Sequence, residues 1–158
     1  MTFDHTHYYR ITTRVSGKEQ ALDVAPDGSG RVTLAEPAES SGQYWKLALL
    51  DGNRYALRTA YLGDGLSLTI NHQHAVCLSP TTLSAGQSWN LQSNRSGTCA
   101  LINDLAGPQT CLRLRKRTMV TTRLAAGRPR HPQWRLTPLT PVPGQTPVPD
   151  LKQAPEVY

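Results

Sequence analysis

At 158 residues, 38% of them hydrophobic, the chain is sized for one compact core and is too short for two full domains. Aromatics are sparse at 6% while Gly and Pro contribute twelve residues each, a composition of short strands and turns that predicts an all-β fold. The formal net charge is +6, and apolar runs such as 47–50 fall far below the ~20 residues that a membrane-crossing helix needs.

The first ten residues, MTFDHTHYYR, have no basic segment, apolar stretch or small-residue cleavage site, so a cytoplasmic location is expected, or export without a recognisable signal. Residues 1–7 read as an N-terminal extension. Within it His5 and His7, like His72 and His74 later, have the i, i+2 spacing of one strand face. Zinc prefers four ligands and neither pair has an acid or thiol at a fitting distance in sequence, though Cys77 is near the second, so both read as surface histidines and no metal or cofactor is expected.

From residue 8 the chain is organised as three copies of one unit, about 8–52, 53–97 and 98–139. The three tryptophans, Trp45, Trp89 and Trp134, stand 44 and 45 residues apart, and each is followed two positions later by Leu47, Leu91 or Leu136. The first repeat opens with an alternating strand, 9–13, and a turn at Gly17. A second strand follows at 21–24, then the turn Pro26-Asp27-Gly28, a third strand at 32–34, and Gln43-Tyr44-Trp45 leading into a fourth. The second repeat gives 55–59, 65–68, 76–78 and Gln87-Ser88-Trp89, with turns at Gly63-Asp64-Gly65 and Ser96-Gly97. The third gives 99–103, 111–114, 120–122 and a degenerate Pro132-Gln133-Trp134. The segment 140–158 repeats Thr-Pro-Val-Pro without apolar periodicity and reads as an extended proline-rich tail.

Four strands per unit and a period near 45 also suit propeller blades, but three blades are too few to close a ring. Three four-stranded units instead predict a β-trefoil, in which each copy gives one hairpin to a closed six-stranded barrel and one to a cap. The three cysteines, Cys77, Cys99 and Cys111, are an odd count without metal spacing, which fits buried thiols in a reducing compartment better than a Cys99–Cys111 disulfide.

With Gln43-Tyr44-Trp45, Gln87-Ser88-Trp89 and Leu22-Asp23-Val24, the stretch from Tyr8 to Leu139 resembles the ricin B-type β-trefoil lectins. The resemblance implies a non-catalytic carbohydrate-binding module with up to three shallow sugar sites and pseudo-threefold symmetry. In such lectins an Asp of the second strand accepts hydrogen bonds from vicinal sugar hydroxyls, and an aromatic face stacks on the pyranose. Carried over residue by residue, it makes Asp23, Thr33 and Gln43 the sugar-binding candidates of the first repeat. Ser67 and Arg113 take the place of Asp23 in the other two repeats. The aromatic position beyond the third strand falls on Ala35 and Ser79, and Gly42 and Gly86 stand where an Asn is common.

Charge adds a second feature. Residues 98–140 hold eight Lys or Arg against the single acid Asp104, so the excess positive charge sits in the third repeat. Alternation along Arg113, Arg115 and Arg117 predicts three guanidinium groups on one strand face, a site for anionic glycans or other anions; otherwise the charge is a solvated face over Arg123, Arg128 and Arg130. Aromatics are not interleaved with these bases, which disfavours nucleic acid. Asn94-Arg95-Ser96 has the form of an N-glycosylation acceptor, discounted here because no secretory signal precedes it. No nucleophile, metalloprotease, phosphate-loop or dinucleotide motif is present, so no enzyme is expected. The alternative function is a protein-interaction scaffold, such as a protease inhibitor, acting through the loops 25–31, 71–75 and 125–132.

Overall fold

Twelve strands and two 3-10 turns make up the computed structural model, which describes residues 3–71, 75–93, 96–108, 110–115, 118–123 and 133–143, with backbone alone over 114–115 and 118–123. The first repeat contributes β1 (His7–Val15), β2 (Lys18–Val24), β3 (Val32–Ala35) and β4 (Trp45–Leu49). The second contributes β5 (Arg54–Thr59), β6 (Leu66–Ile70), β7 (Val76–Pro80) and β8 (Trp89–Ser93). The third contributes β9 (Cys99–Asn103), β10 (Thr110–Arg115), β11 (Thr118–Arg123) and β12 (Arg135–Pro141). Among the described residues no helix is long and apolar enough to cross a membrane.

Six of these strands close a barrel. β1 pairs with β4 and β12, β4 with β5, β5 with β8 and β8 with β9, all antiparallel. Closure comes from Trp134 and Cys99, which exchange both backbone hydrogen bonds at 2.8 Å and so join the start of β12 to β9. The remaining strands form three hairpins, β2–β3, β6–β7 and β10–β11. This is a β-trefoil. β12 carries Pro138 and Pro141, which cannot donate to a ladder, and the β1–β12 register slips between His7 and Tyr9, where Pro141 and Pro138 lie opposite.

The alternation of each opening strand puts Ile11, Leu57 and Leu101 inside the barrel at zero exposure, together with all three tryptophans. Each indole N–H crosses from barrel to hairpin and donates to a backbone carbonyl: Trp45 to Leu22 at 2.9 Å, Trp89 to Leu68 at 3.0 Å and Trp134 to Leu112 at 3.1 Å. A buried indole donor needs a partner, and the same partner in three repeats ties each hairpin to its barrel segment.

These bonds define which residues correspond. Leu22, Leu68 and Leu112 are equivalent, so Asp23 corresponds to Thr69 and Arg113, and not to Ser67 as the spacing in the sequence predicts. Ser67 corresponds to Ala21 and Cys111, all three fully buried. Likewise Val120 lies opposite Arg113 as Thr33 lies opposite Asp23, one place off the alignment with Val32 and Val76.

Gly30 joins two hairpins of the cap. Its φ of +80° is the left-handed region, and a Cβ would run into the Leu78 carbonyl, while Leu78 N–H donates to the Gly30 carbonyl at 2.7 Å. The 25–31 loop, one of the three loops expected to serve protein interaction, is anchored to the cap at Gly30, while residues 26–29 are exposed. Of the other two such loops, 72–74 and 125–132 lie outside the described residues. The N-terminal segment is also tied down: Phe3 packs edge-on against Tyr9 and Tyr55, Asp4 N–H donates to Tyr9 Oη at 2.9 Å, and Val142 N–H donates to Thr6 at 2.7 Å.

Candidate functional site

Asp23 sits on β2 between buried Leu22 and Val24, so the pleat turns its side chain outward, where it is half-buried. Thr33 on β3 is its cross-strand neighbour and shares that face. Asp23 Oδ1 accepts from the Val24 N–H at 2.7 Å and Oδ2 accepts from Gln43 Nε2 at 3.1 Å. An ionised carboxylate has about four acceptor positions, so each oxygen keeps one for another donor.

The 3-10 turn Ser41–Gln43 delivers the glutamine. Gln43 is 1% exposed and also donates to the Glu36 carbonyl at 2.9 Å while accepting from the Ala38 N–H at 2.9 Å. It pins the 36–43 loop and the Asp23 carboxylate at once. A Cβ at Gly42 would collide with Asp23 Oδ1, so the glycine at this position is what lets the carboxylate lie against the turn.

The other two repeats build this corner differently. Gln87 repeats the loop staple, donating to Pro80 and accepting from Thr82, both at 2.8 Å. At the Asp23 position, however, Thr69 turns its hydroxyl back to the Ser67 carbonyl at 2.8 Å, and Cys77 lies opposite. Ser67 itself is buried, bonded to Arg58 Nε at 3.1 Å and to the Thr81 hydroxyl at 2.9 Å. In the third repeat the Gln43 position falls on Pro132, outside the described residues, and Gln133, at the Tyr44 position, accepts from the Thr98 hydroxyl at 2.9 Å while its carbonyl accepts from Thr13 at 2.8 Å. Ala35 and Ser79 lie inside β3 and β7, not beyond them.

Arg113 is half-buried on β10, where its charge slightly favours the thiolate of Cys111 against the dominant effect of burial, which raises that thiol. The side chain of Arg115, and the whole of Arg117, Arg128 and Arg130, lie outside the described residues, as does the side chain of Arg123. His72, His74, Asn94 and Arg95 lie outside them too. His7 does have an acid beside it, contrary to the sequence expectation: Asp4 Oδ2 is 2.7 Å from Nδ1, three residues back. Among the described residues no three His, Cys, Asp or Glu side chains gather where they could hold a metal. All three cysteines are free thiols.

Among the described residues, two grooves lie away from Asp23. One of 740 Å³ runs between the β4–β5 turn and the 81–88 loop and contains Arg54, Arg58 and Asp104; one of 550 Å³ crosses β1 and β12 beside Arg14 and Arg135.

No family model matches the chain, and no curated protein matches it by sequence. Solved structures do. The designed threefold-symmetric protein ThreeFoil is similar over 84% of this chain and 99% of its own, with a TM-score of 0.69 and 22% identity. The likeness is one of fold. A Polyporus squamosus lectin, solved bound to the human-type influenza-binding epitope Neu5Acα2-6Galβ1-4GlcNAc, matches 87% of this chain at a TM-score of 0.69 and 16% identity, the match spanning 51% of the lectin. A GlcNAcα1-4Gal-releasing endo-β-galactosidase from Clostridium perfringens matches 84% at 0.69 and 16% identity, over 32% of its length.

Proposed function

We propose that this chain is a non-catalytic carbohydrate-binding module of the ricin B-like kind, with its sugar site on the β2–β3 hairpin of the first repeat. The observation that carries this reading is the Asp23 carboxylate, fixed by Gln43 and the Val24 amide with an acceptor position left on each oxygen. A pre-set carboxylate accepts from two adjacent sugar hydroxyls without losing rotamer freedom on binding, and charge-assisted bonds are about twice as strong as neutral ones. Thr33 supplies a hydroxyl on the same face, and Gln43 acts as the positioning residue. A trefoil fold shared with a glycan-bound lectin is consistent with this role, and the partner is a glycan or glycoconjugate. A glycan array followed by calorimetry on the wild type and Asp23→Ala tests it. Binding that is lost on substitution is the expected result; no glycan bound at millimolar concentration, or binding that ignores the substitution, removes this hairpin from consideration.

The charge of the third repeat supports a second reading, binding of anionic glycans or other anions through Arg113, Arg115 and Arg117. Such binding is salt-sensitive, because exposed charges are screened over a Debye length of about 8 Å at physiological ionic strength. Replacing the three by Gln is expected to lower the salt at which the protein leaves a heparin column. Elution at the wild-type concentration refutes it.

A further inference from the structure

The outer wall of the barrel in the first repeat carries a second cluster that the Asp23 site does not use. Tyr8 on β1 and Tyr44, next to Trp45, pack ring against ring with centroids 5.8 Å apart and planes tilted by 59°, both half-buried. Tyr44 Oη donates to Glu39 Oε2 at 2.7 Å. Arg10 spends one donor on the Ala38 carbonyl at 2.9 Å, and its buried Nε has no partner among the described residues. Lys46, across from Tyr8 in the ladder, reaches Asp64 at 3.1 Å.

Pseudo-symmetry provides an internal control for what the fold itself needs at this spot. The positions of Tyr8 and Tyr44 correspond to Arg54 and Ser88 in the second repeat and to Thr98 and Gln133 in the third. In the second, Arg54 and Ser88 both bond Asp104, the Arg54 ion pair closing at 2.9 Å. In the third, the Thr98 hydroxyl donates to Gln133 at 2.9 Å. Two repeats thus seal the wall with polar bonds, so the aromatic pair is not a requirement of the trefoil. Rings left partly open to water beside a carboxylate and an under-used guanidinium are the groups that recognise a sugar: a platform for C–H faces, an acceptor and a donor for neighbouring hydroxyls.

We propose that Tyr8 and Tyr44, with Arg10 and Glu39 beside them, form a second saccharide-binding site that takes a neutral pyranose. Neutrality follows from the surroundings, since Arg10 and Lys46 are balanced by Glu39 and Asp64. The apolar face of the sugar lies on the rings, and adjacent hydroxyls bond Glu39 Oε1 and the guanidinium of Arg10, which gives one donor to Ala38. The proposal rests on the carbohydrate reading of the chain but not on the Asp23 site.

The test is a two-dimensional NMR titration of the full chain with methyl glycosides of galactose, glucose, mannose and N-acetylglucosamine at millimolar concentration. At least one is expected to shift the ring resonances of Tyr8 and Tyr44, and to do so equally in Asp23→Ala. Tyr44→Ser is expected to weaken that binding about tenfold, or about 1.4 kcal/mol, whereas Tyr44→Phe keeps most of it. Should Tyr44→Ser not fold, Glu39→Gln, which leaves both rings in place, carries the same expectation of weaker binding. No ring shift with any of the four glycosides overturns the proposal, as do unchanged binding in Tyr44→Ser or Glu39→Gln and ring shifts that vanish in Asp23→Ala. Failure of the Asp23 site reads out separately, as absent shifts at the Asp23 and Thr33 amides.

Discussion

Gln43 and Gln87 occupy the same place in consecutive repeats and differ by one interaction, which makes them a measurement of how firmly Asp23 is held. Both are buried, at 1% and 3% exposure, and both make two neutral bonds to their loops. Gln43 adds the bond to the Asp23 carboxylate at 3.1 Å. A neutral bond contributes about 1 kcal/mol net, and one to a charged group about 1.5 kcal/mol when the charge is half exposed. Gln87→Ala is therefore expected to lose about 2 kcal/mol in bonds and Gln43→Ala about 3.5 kcal/mol, with a similar cavity in each. For a chain of this length the difference of about 1.5 kcal/mol corresponds to roughly 3–6 °C in Tm. Denaturant unfolding of both variants, with Asp23→Ala and the double variant completing a cycle, reads the coupling directly. Equal costs for the two glutamines, or a coupling below about 0.5 kcal/mol, refute the view that Gln43 positions the carboxylate.

Three further outcomes are expected. Replacing any one tryptophan by Phe removes the indole bond to Leu22, Leu68 or Leu112 and is expected to cost about 2–4 kcal/mol in urea unfolding, alike in all three repeats; a loss under about 1 kcal/mol at any position breaks the equivalence. Burial pushes the Cys99 thiol up to about 12 and raises Cys111 as well, so a thiol reagent at mild alkaline pH is expected to label Cys77 in the folded protein and these two only on unfolding; rapid labelling of native Cys99 contradicts it. The hydroxyl and amide of Thr6, with His7, hold the Asp4 carboxyl down at about 2 against an ordinary 3.8. Because the folded value is the lower one, the contribution is present above the ordinary value and is lost as pH falls through about 2. The Thr6 amide shift is accordingly expected to titrate near 2 and not near 3.8, and to lose that step in Asp4→Asn.

Spacing alone determined the architecture of this chain. Three tryptophans at near-equal intervals, each two residues before a leucine, and three alternating openings at 9–13, 55–59 and 99–103 gave three copies of a four-stranded unit, and the fold follows because no copy can bury its own apolar face. The position of Asp23 on an outward strand face was legible for the same reason, since alternation with period two is written in Leu22-Asp23-Val24. Register was not. The run Leu66-Ser67-Leu68-Thr69-Ile70 alternates throughout, so sliding it by two residues keeps every side chain on its face, and tertiary contacts select Thr69 over Ser67 as the counterpart of Asp23: the Trp89 bond to the Leu68 carbonyl and the approach of Gly86 to Thr69 that mirrors Gly42 on Asp23. Contacts between distant segments were likewise decided by tertiary structure: Gln43 on Asp23, Tyr8 against Tyr44, Gly30 under Leu78 and the Cys99–Trp134 closure. Each depends on how two separately encoded strands or turns meet in space. A periodic sequence specifies which way its side chains face, whereas which residue stands opposite which is fixed by hydrogen bonds and close packing formed only when the three units come together.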